Sequence, residues 1–346
     1  MNAEDLIALN EEIAGMARAG LPLDQGLAAL AGEMGRGKLQ RVTESLADDL
    51  RAGITLPEAL EKQSAHIPSF YAGLVNTGVK TGRIAEVLAT LTIYARTLAN
   101  VRTSIVDAFF YPGIVLVFAI GLFSFLAIVV LPTFDRIFHD FDMKLPAATE
   151  GVLILSRNPI EYMFAPALVL LIGFVFFRVV VRSTRQGRLL WARLVYSLPI
   201  AGTLLRSARL MAFTELLAIL VDQEIPLPAA FKMAGESSSD PIMAGRVHEI
   251  TDDLAQGRPL GAVLKGRGLV PEWVAWMTGL GMERGSLGKS LHLVADLYRR
   301  QVEMRVAMLR SVLPPVMILC TAGLFAVFFV VTIMLPMIRL LGALSR

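Results

Sequence analysis

The chain of 346 residues is 55% hydrophobic and 18% charged, with a mean hydropathy of +0.59, too apolar a balance for an ordinary soluble protein of this length. A net charge of +3 gives no support to nucleic-acid binding, and the single cysteine, Cys320, excludes an intrachain disulfide and a multi-cysteine metal site.

From the N-terminus, Glu4, Asp5, Glu11 and Glu12 precede any basic residue and no apolar core follows them, which argues against a cleavable signal peptide. Leu6, Leu9, Ile13 and Met16 or Ala17 recur at three-and-four spacing up to Gly20, and Leu39, Val42, Leu46 and Leu50 do so up to Gly53, predicting helices that end at glycine. Thr55-Leu56-Pro57-Glu58 reads as a capping box opening the next helix. Ile84, Leu88, Leu91, Ala95, Leu98 and Ile105 predict one long helix feeding the first uncharged stretch, Ala108 to Phe134. Its 27 residues exceed the roughly 20 needed to cross a bilayer core of about 30 Å. A second stretch, Tyr162 to Phe177, is 16 residues long and contains Pro166, so a buried or re-entrant helix competes with a crossing. Leu291, Val294, Leu297 and Gln301 predict another long helix, leading into a third uncharged stretch of 28 residues, Ser311 to Ile338. Cys320 lies in that stretch and reads as a small buried hydrophobe. No segment alternates like a strand.

Sliding the chain on itself by 203 to 204 residues exposes a duplication. Leu21-Pro22-Leu23 meets Ile225-Pro226-Leu227, Gly53 meets Gly257, Pro68 meets Pro271, and Gly78-x-x-x-Gly82 meets Gly281-x-x-x-Gly285. Pro112 meets Pro315, and Leu131-Pro132 meets Leu335-Pro336. Each unit is thus a helical domain followed by one crossing, and two such units share an orientation only if residues 161–181 bring the chain back between them. Arg96 and Arg102, then Arg178, Arg182, Arg185 and Arg188, then Arg299, Arg300, Arg305 and Arg310 flank the spans and place both large segments in the cytoplasm.

The boundaries that follow are 1–107 for a first cytoplasmic domain, 108–131 for a first transmembrane helix, and 132–160 for an extracytoplasmic loop. A second transmembrane helix takes 161–181, a second cytoplasmic domain 182–310, a third transmembrane helix 311–336, and an extracytoplasmic tail 337–346. The fold class is an all-α membrane protein with two helical bundles of about six helices each and three transmembrane helices.

Catalytic motifs fall short. Gly32 to Leu39 fits G-x-x-x-x-G-K but ends in Leu39 where a magnesium-binding hydroxyl belongs, and Gly288-Lys289-Ser290 has Glu283 in place of the first glycine. His66, His139, His248 and His292 show no metal-ligand spacing, and the pairs Asp48-Asp49 and Asp252-Asp253 read as solvated faces. The reading is no enzyme, no catalytic or metal residues and no cofactor. Transport by a small multi-pass permease is the rival reading, opposed by apolar stretches with little polar beyond Ser124, Thr321 and Thr332.

Ala-Gly-Leu-Pro-Leu at 19 to 23, Gly-x-x-Leu-x-x-Ala-Leu from Gly53, Pro68-x-Phe70-Tyr71, Gly78-x-x-Thr81-Gly82, Tyr111-Pro112, Leu131-Pro132-x-Phe134 and Leu145-Pro146-x-x-Thr149 resemble the type II secretion F-domain family. The resemblance covers nearly the whole chain. It implies a platform in the inner membrane, with two six-helix cytoplasmic domains, that couples a hexameric cytoplasmic ATPase to assembly of a pilus or pseudopilus. It implies pilin-like subunits, other inner-membrane components, lipid and further copies of the chain as partners. The family-motif positions carried over are Pro22, Gly53, Gly78, Gly82, Pro112, Pro226, Gly257, Gly281, Glu283, Gly285 and Pro315, as structural or partner contacts. Where the family places Glu directly after the first glycine of G-E-x-[ST]-G, this chain has Val79 and Met282, with Lys80 and Glu283 as the nearest charged substitutes.

Overall fold

Two of the glycines that end helices recur in both repeats, Gly53 with Gly257 and Gly82 with Gly285. The computed structural model describes residues 3–64, 66–140, 187, 201–238 and 240–344. In its first half, α1 spans Ala3–Ala19, α2 Leu23–Glu33, α3 Lys38–Arg51, α4 Leu56–Lys62, α5 Ser69–Thr81 and α6 Ile84–Phe125, followed by α7, Leu131–Asp140. In its second half, α8 spans Ala201–Asp222, α9 Leu227–Ser237, α10 Pro241–Ala255, α11 Leu260–Arg267, α12 Glu272–Glu283, α13 Leu287–Phe329 and α14 Leu335–Leu344. The described residues are helical with no strand. The second apolar stretch at 161–181, the loop from 141 to 160 and the start of the second domain at 182–200 lie outside the described residues, residue 187 apart.

Gly20, Gly53, Gly82, Gly257 and Gly285 all take positive φ, between 64° and 83°, where a Cβ would crowd the following carbonyl. Each closes its helix in the same way. At Gly82, the Arg83 N–H reaches the Gly78 carbonyl at 2.8 Å, and at Gly285 the Ser286 N–H reaches the Gly281 carbonyl at 2.8 Å. The turn after α8, equivalent to that at Gly20, carries Glu224 instead, at φ 57°. Its hydrogen bonds are intact, with the Ile225 N–H on the Leu220 carbonyl at 3.1 Å, and the non-glycine residue there costs on the order of 1 kcal/mol. The Thr55 N–H donates to Glu58 Oε2 at 3.2 Å, one arm of the capping box, so α4 begins where the sequence places it.

The chain divides into two compact units. The first holds residues 1–104 and 192–304, and both sequence repeats contribute to one core within it. Leu74, Val75 and Leu91 from the first repeat and Leu216, Phe231 and Val294 from the second are each at most 1% exposed. Across the repeats, α5 packs on α9, and the Tyr94 hydroxyl donates to the Ala212 carbonyl at 3.4 Å. Phe213 and Phe231 meet edge to face at 5.8 Å.

The second unit holds 105–191 and 305–346, of which 105–140, 187 and 305–344 are described. Here the later parts of α6 and α13 are long and apolar enough to cross a membrane and turn most of their side chains outward, Phe118 at 76% and Leu319 at 72% exposure. Phe123 meets Phe328 edge to face at 5.2 Å, and Arg310 Nη2 pairs with Asp107 Oδ2 at 3.4 Å. Each long helix widens into a π-helical turn, Leu126–Val130 and Val330–Met334, just before Leu131-Pro132 and Leu335-Pro336. A proline ring clashes with the carbonyl four residues back, and the wider turn relieves that clash.

Three readings from sequence need correction. Cys320 is exposed on its helix, because it lies on an apolar surface that the protein itself does not cover. Leu297 is 40% exposed although Leu291 and Val294 on the same helix are buried, for Leu297 falls one step around the helix from their face. Asp253 is 5% exposed, not part of a solvated face: Arg258 Nη1 and Arg267 Nε approach its two oxygens at 2.8 and 2.9 Å. That bond with Asp253 holds the Arg267 guanidinium pKa above its ordinary value.

Candidate functional site

Each repeat closes where its first helix meets its last. In the second repeat, Glu215 and Asp222 lie two turns apart on α8, facing His292 and Arg299 two turns apart on α13. His292 Nε2 lies 2.9 Å from Asp222 Oδ2, its Nδ1 3.6 Å from Glu215 Oε1, and Arg299 Nη2 3.8 Å from Glu215 Oε2. Gly288 lets the helices close at this point, since a Cβ there would collide with the Asp222 carboxyl. The hydroxyl of Tyr298, next in sequence to Arg299, is buried with no hydrogen-bond partner among the described residues, and burial pushes its pKa up to about 12.

Glu215 first, then Asp222, raises the His292 pKa from 6.5 to about 9 against the opposing effect of burial. An imidazole protonated at neutral pH cannot act as a general base there; it is a cationic clasp between two helices. A folded pKa above the unfolded one gives stabilisation that is complete below about 6.5 and lost as pH rises through about 9. The melting temperature of the detergent-solubilised chain is therefore expected to fall between pH 7 and 9.5, and His292→Gln is expected to remove that part of the fall. With the ring 38% exposed, the effect is screened to no more than about 1 kcal/mol. An unchanged pH profile in His292→Gln would contradict the clasp.

The first repeat builds the same junction with different charges. Glu11 pairs with Arg96 at the positions of Glu215 and Arg299, while Arg18 and Ala89 stand where Asp222 and His292 do. The result is an open cleft of about 420 Å³ lined by Glu11, Arg18, Thr92, Ile93 and Arg96. These clusters were missed in the sequence because each charge was read alone. The spacing of seven on both partner helices, repeated 203 to 204 residues apart, is the pattern that finds them. Among the described residues no group of three or more His, Cys, Asp or Glu is arranged to hold a metal ion.

The motif residues are spread along the chain in matched pairs. Pro22 and Pro226 precede α2 and α9, and Pro112 and Pro315 lie inside α6 and α13. Gly53, Gly82, Gly257 and Gly285 form the left-handed turns. Gly78 and Gly281 lie in the last turn of α5 and α12, against the helix that follows: a Cβ on Gly78 would stand 3.0 Å from Val87 Cγ2, and one on Gly281 would overlap Ser290. Glu283 is exposed at the end of α12, on a shallow cleft shared with Trp276 and the Lys265–Glu272 ion pair. Val79 and Met282 point outward at 48% and 47% exposure.

The model of a family described as "Type II secretion system (T2SS), protein F" matches this chain twice, over residues 11–132 and 213–336. The chain is 29% identical over 343 residues to the type IV pilus assembly protein PilC of Thermus thermophilus, covering 99% of itself and 84% of that relative. It is 25% identical over 345 residues to the Myxococcus xanthus type IV pilus assembly protein PilC, covering all of itself and 82% of the relative. It is also 25% identical over 349 residues to the type II secretion system protein F of Vibrio cholerae, at 100% and 85% coverage.

Proposed function

This chain belongs to the type II secretion system protein F family, and from that premise we propose that it is an inner-membrane platform coupling a cytoplasmic hexameric ATPase to assembly of a pilus or pseudopilus. The observation that carries the reading is that the family model fits twice, each time over one helical bundle together with its long apolar helix. The relatives are named for pilus assembly and for type II secretion, the two machines such a platform serves.

In finer detail, the platform has two six-helix cytoplasmic domains and three transmembrane helices, with 161–181 as the return crossing and the N-terminus in the cytoplasm. The flanking arginines and the parity of the duplicated units support that topology. Pro22, Gly53, Gly78, Gly82, Pro112 and their counterparts Pro226, Gly257, Gly281, Gly285 and Pro315 act as shape-setting residues, and Glu283 as a partner contact. The chain supplies surfaces and no chemistry. Nucleotide hydrolysis belongs to the ATPase, and pilin-like subunits are the cargo.

Purification in mild detergent after crosslinking is expected to recover a hexameric ATPase and a pilin-like subunit with the chain. Deleting the gene is expected to abolish extracellular pili or secreted enzymes, according to the machine served. Solute flux by the purified protein alone, with neither partner recovered, would replace this reading with a transporter.

A further inference from the structure

The contact that joins the two repeats leaves one face of each unused. Within the first unit the first repeat presents α5 and α6 to α8 and α9 of the second. Phe70 and Tyr94 are 3% and 5% exposed, and Gly73 lies against Met233, whose methyl group occupies the space a Cβ on Gly73 would take. The duplication supplies the same face again on α12 and α13, and none of the described residues of the unit covers it. The counterparts of Phe70, Gly73, Tyr94 and Val101 are Trp273, Trp276, Leu297 and Met304, exposed at 48%, 69%, 40% and 67%. Two tryptophans, a leucine and a methionine exposed on one face of this helical unit mark an interaction surface.

The receiving face is duplicated as well. Ala212 and Met233, which accept the first repeat, correspond to Ala8 and Ala29 on α1 and α2, both exposed. Bulk is exchanged between the two versions of the contact. Internally a large Met233 fills the space over a small Gly73; externally a large Trp276 faces the position of a small Ala29. A face and its complement on opposite repeats of one chain match the next copy of that chain, joined head to tail.

We propose that α12 and α13 of one copy dock on α1 and α2 of the next, repeating between molecules the contact that holds the repeats together within one. The partner is a second copy of this chain, and the interface is heterologous, so it closes into a ring or continues as a chain of subunits. Trp276 is the anchor that seats over Ala29. The proposal deepens the platform reading by naming the surface through which it self-associates, but it rests on the intramolecular contact and not on the family.

Cysteine crosslinking in native membranes tests it. In a Cys320→Ser background, copies carrying Trp276→Cys and copies carrying Ala29→Cys, expressed together, are expected to give a covalent dimer with a short bis-maleimide. Either variant expressed alone is expected to give none. In the Cys320→Ser parent with cysteines at both positions, linked species are expected to extend beyond the dimer. Trp276→Glu, compared by blue native electrophoresis, is expected to weaken self-association about thirtyfold at unchanged melting temperature, as loss of a central tryptophan does. A dimer from Trp276→Cys alone would show a symmetric contact and overturn the head-to-tail geometry. Linkage only to a different protein would show that the face serves another partner. Either result, in cells that still assemble pili or secrete, would sink this proposal and leave the platform function standing.

Discussion

Replacing Phe231 by alanine is expected to destabilise the first unit by about 3–5 kcal/mol, the usual loss when a fully buried aromatic side chain leaves a cavity. Phe231 is 1% exposed, stacks edge to face on Phe213, and sits on α9, the helix that α5 of the other repeat packs against. Domains of ordinary stability have about 5–15 kcal/mol in all, so the loss takes a large share of the total. The shared core adds a sharper expectation. Because residues of both repeats form one cluster, amides of α5 as well as those of α9 should exchange faster with deuterium in Phe231→Ala. Melting of the full chain in detergent and hydrogen exchange by mass spectrometry check both parts. Faster exchange confined to the second repeat would mean that the two cores are separate.

Inserting a short run of glycines between Arg102 and Thr103 is expected to abolish pilus or pseudopilus assembly while leaving membrane insertion and the melting of the first unit nearly unchanged. The site lies inside α6, past Leu98 and Val101, the last residues of that helix to lean on the core. Glycine in a helix interior costs about 1 kcal/mol per residue relative to alanine, enough for a run of them to break the helix there. If conformational change in the first unit must pass along α6, a flexible joint absorbs it. Assembly at the normal level in the insertion variant, with the protein present in the membrane, would show that α6 carries no such motion.

Local chemistry was the most legible part of the fold. Gly20, Gly53 and Thr55-Leu56-Pro57-Glu58 announce helix ends by rules that operate within a few residues, and the structure has the ends there. The long α6 was readable because one apolar face persists from Ile84 to Ile105. Contacts between distant segments were not. Asp253 looks like any exposed helix acid until Arg258 and Arg267 are brought to it, and Leu297 looks like core until the face it occupies is seen to be bare. The charged junction of Glu215, Asp222, His292 and Arg299 lies between these cases, since its spacing is in the sequence but its meaning needs α8 and α13 side by side.

Glu224 shows what outlasts the letters of a duplicated chain. Its counterpart Gly20 makes a left-handed bend at no steric expense; Glu224 makes the same bend against its own Cβ, held by the Glu224 N–H on the Val221 carbonyl at 2.9 Å and by proline-led α9 beyond. A posture that Gly20 and Glu224 share despite their different side chains is dictated by the neighbours on either side. Kinship between two halves of a protein is therefore written more durably in where the backbone turns than in which residue turns it.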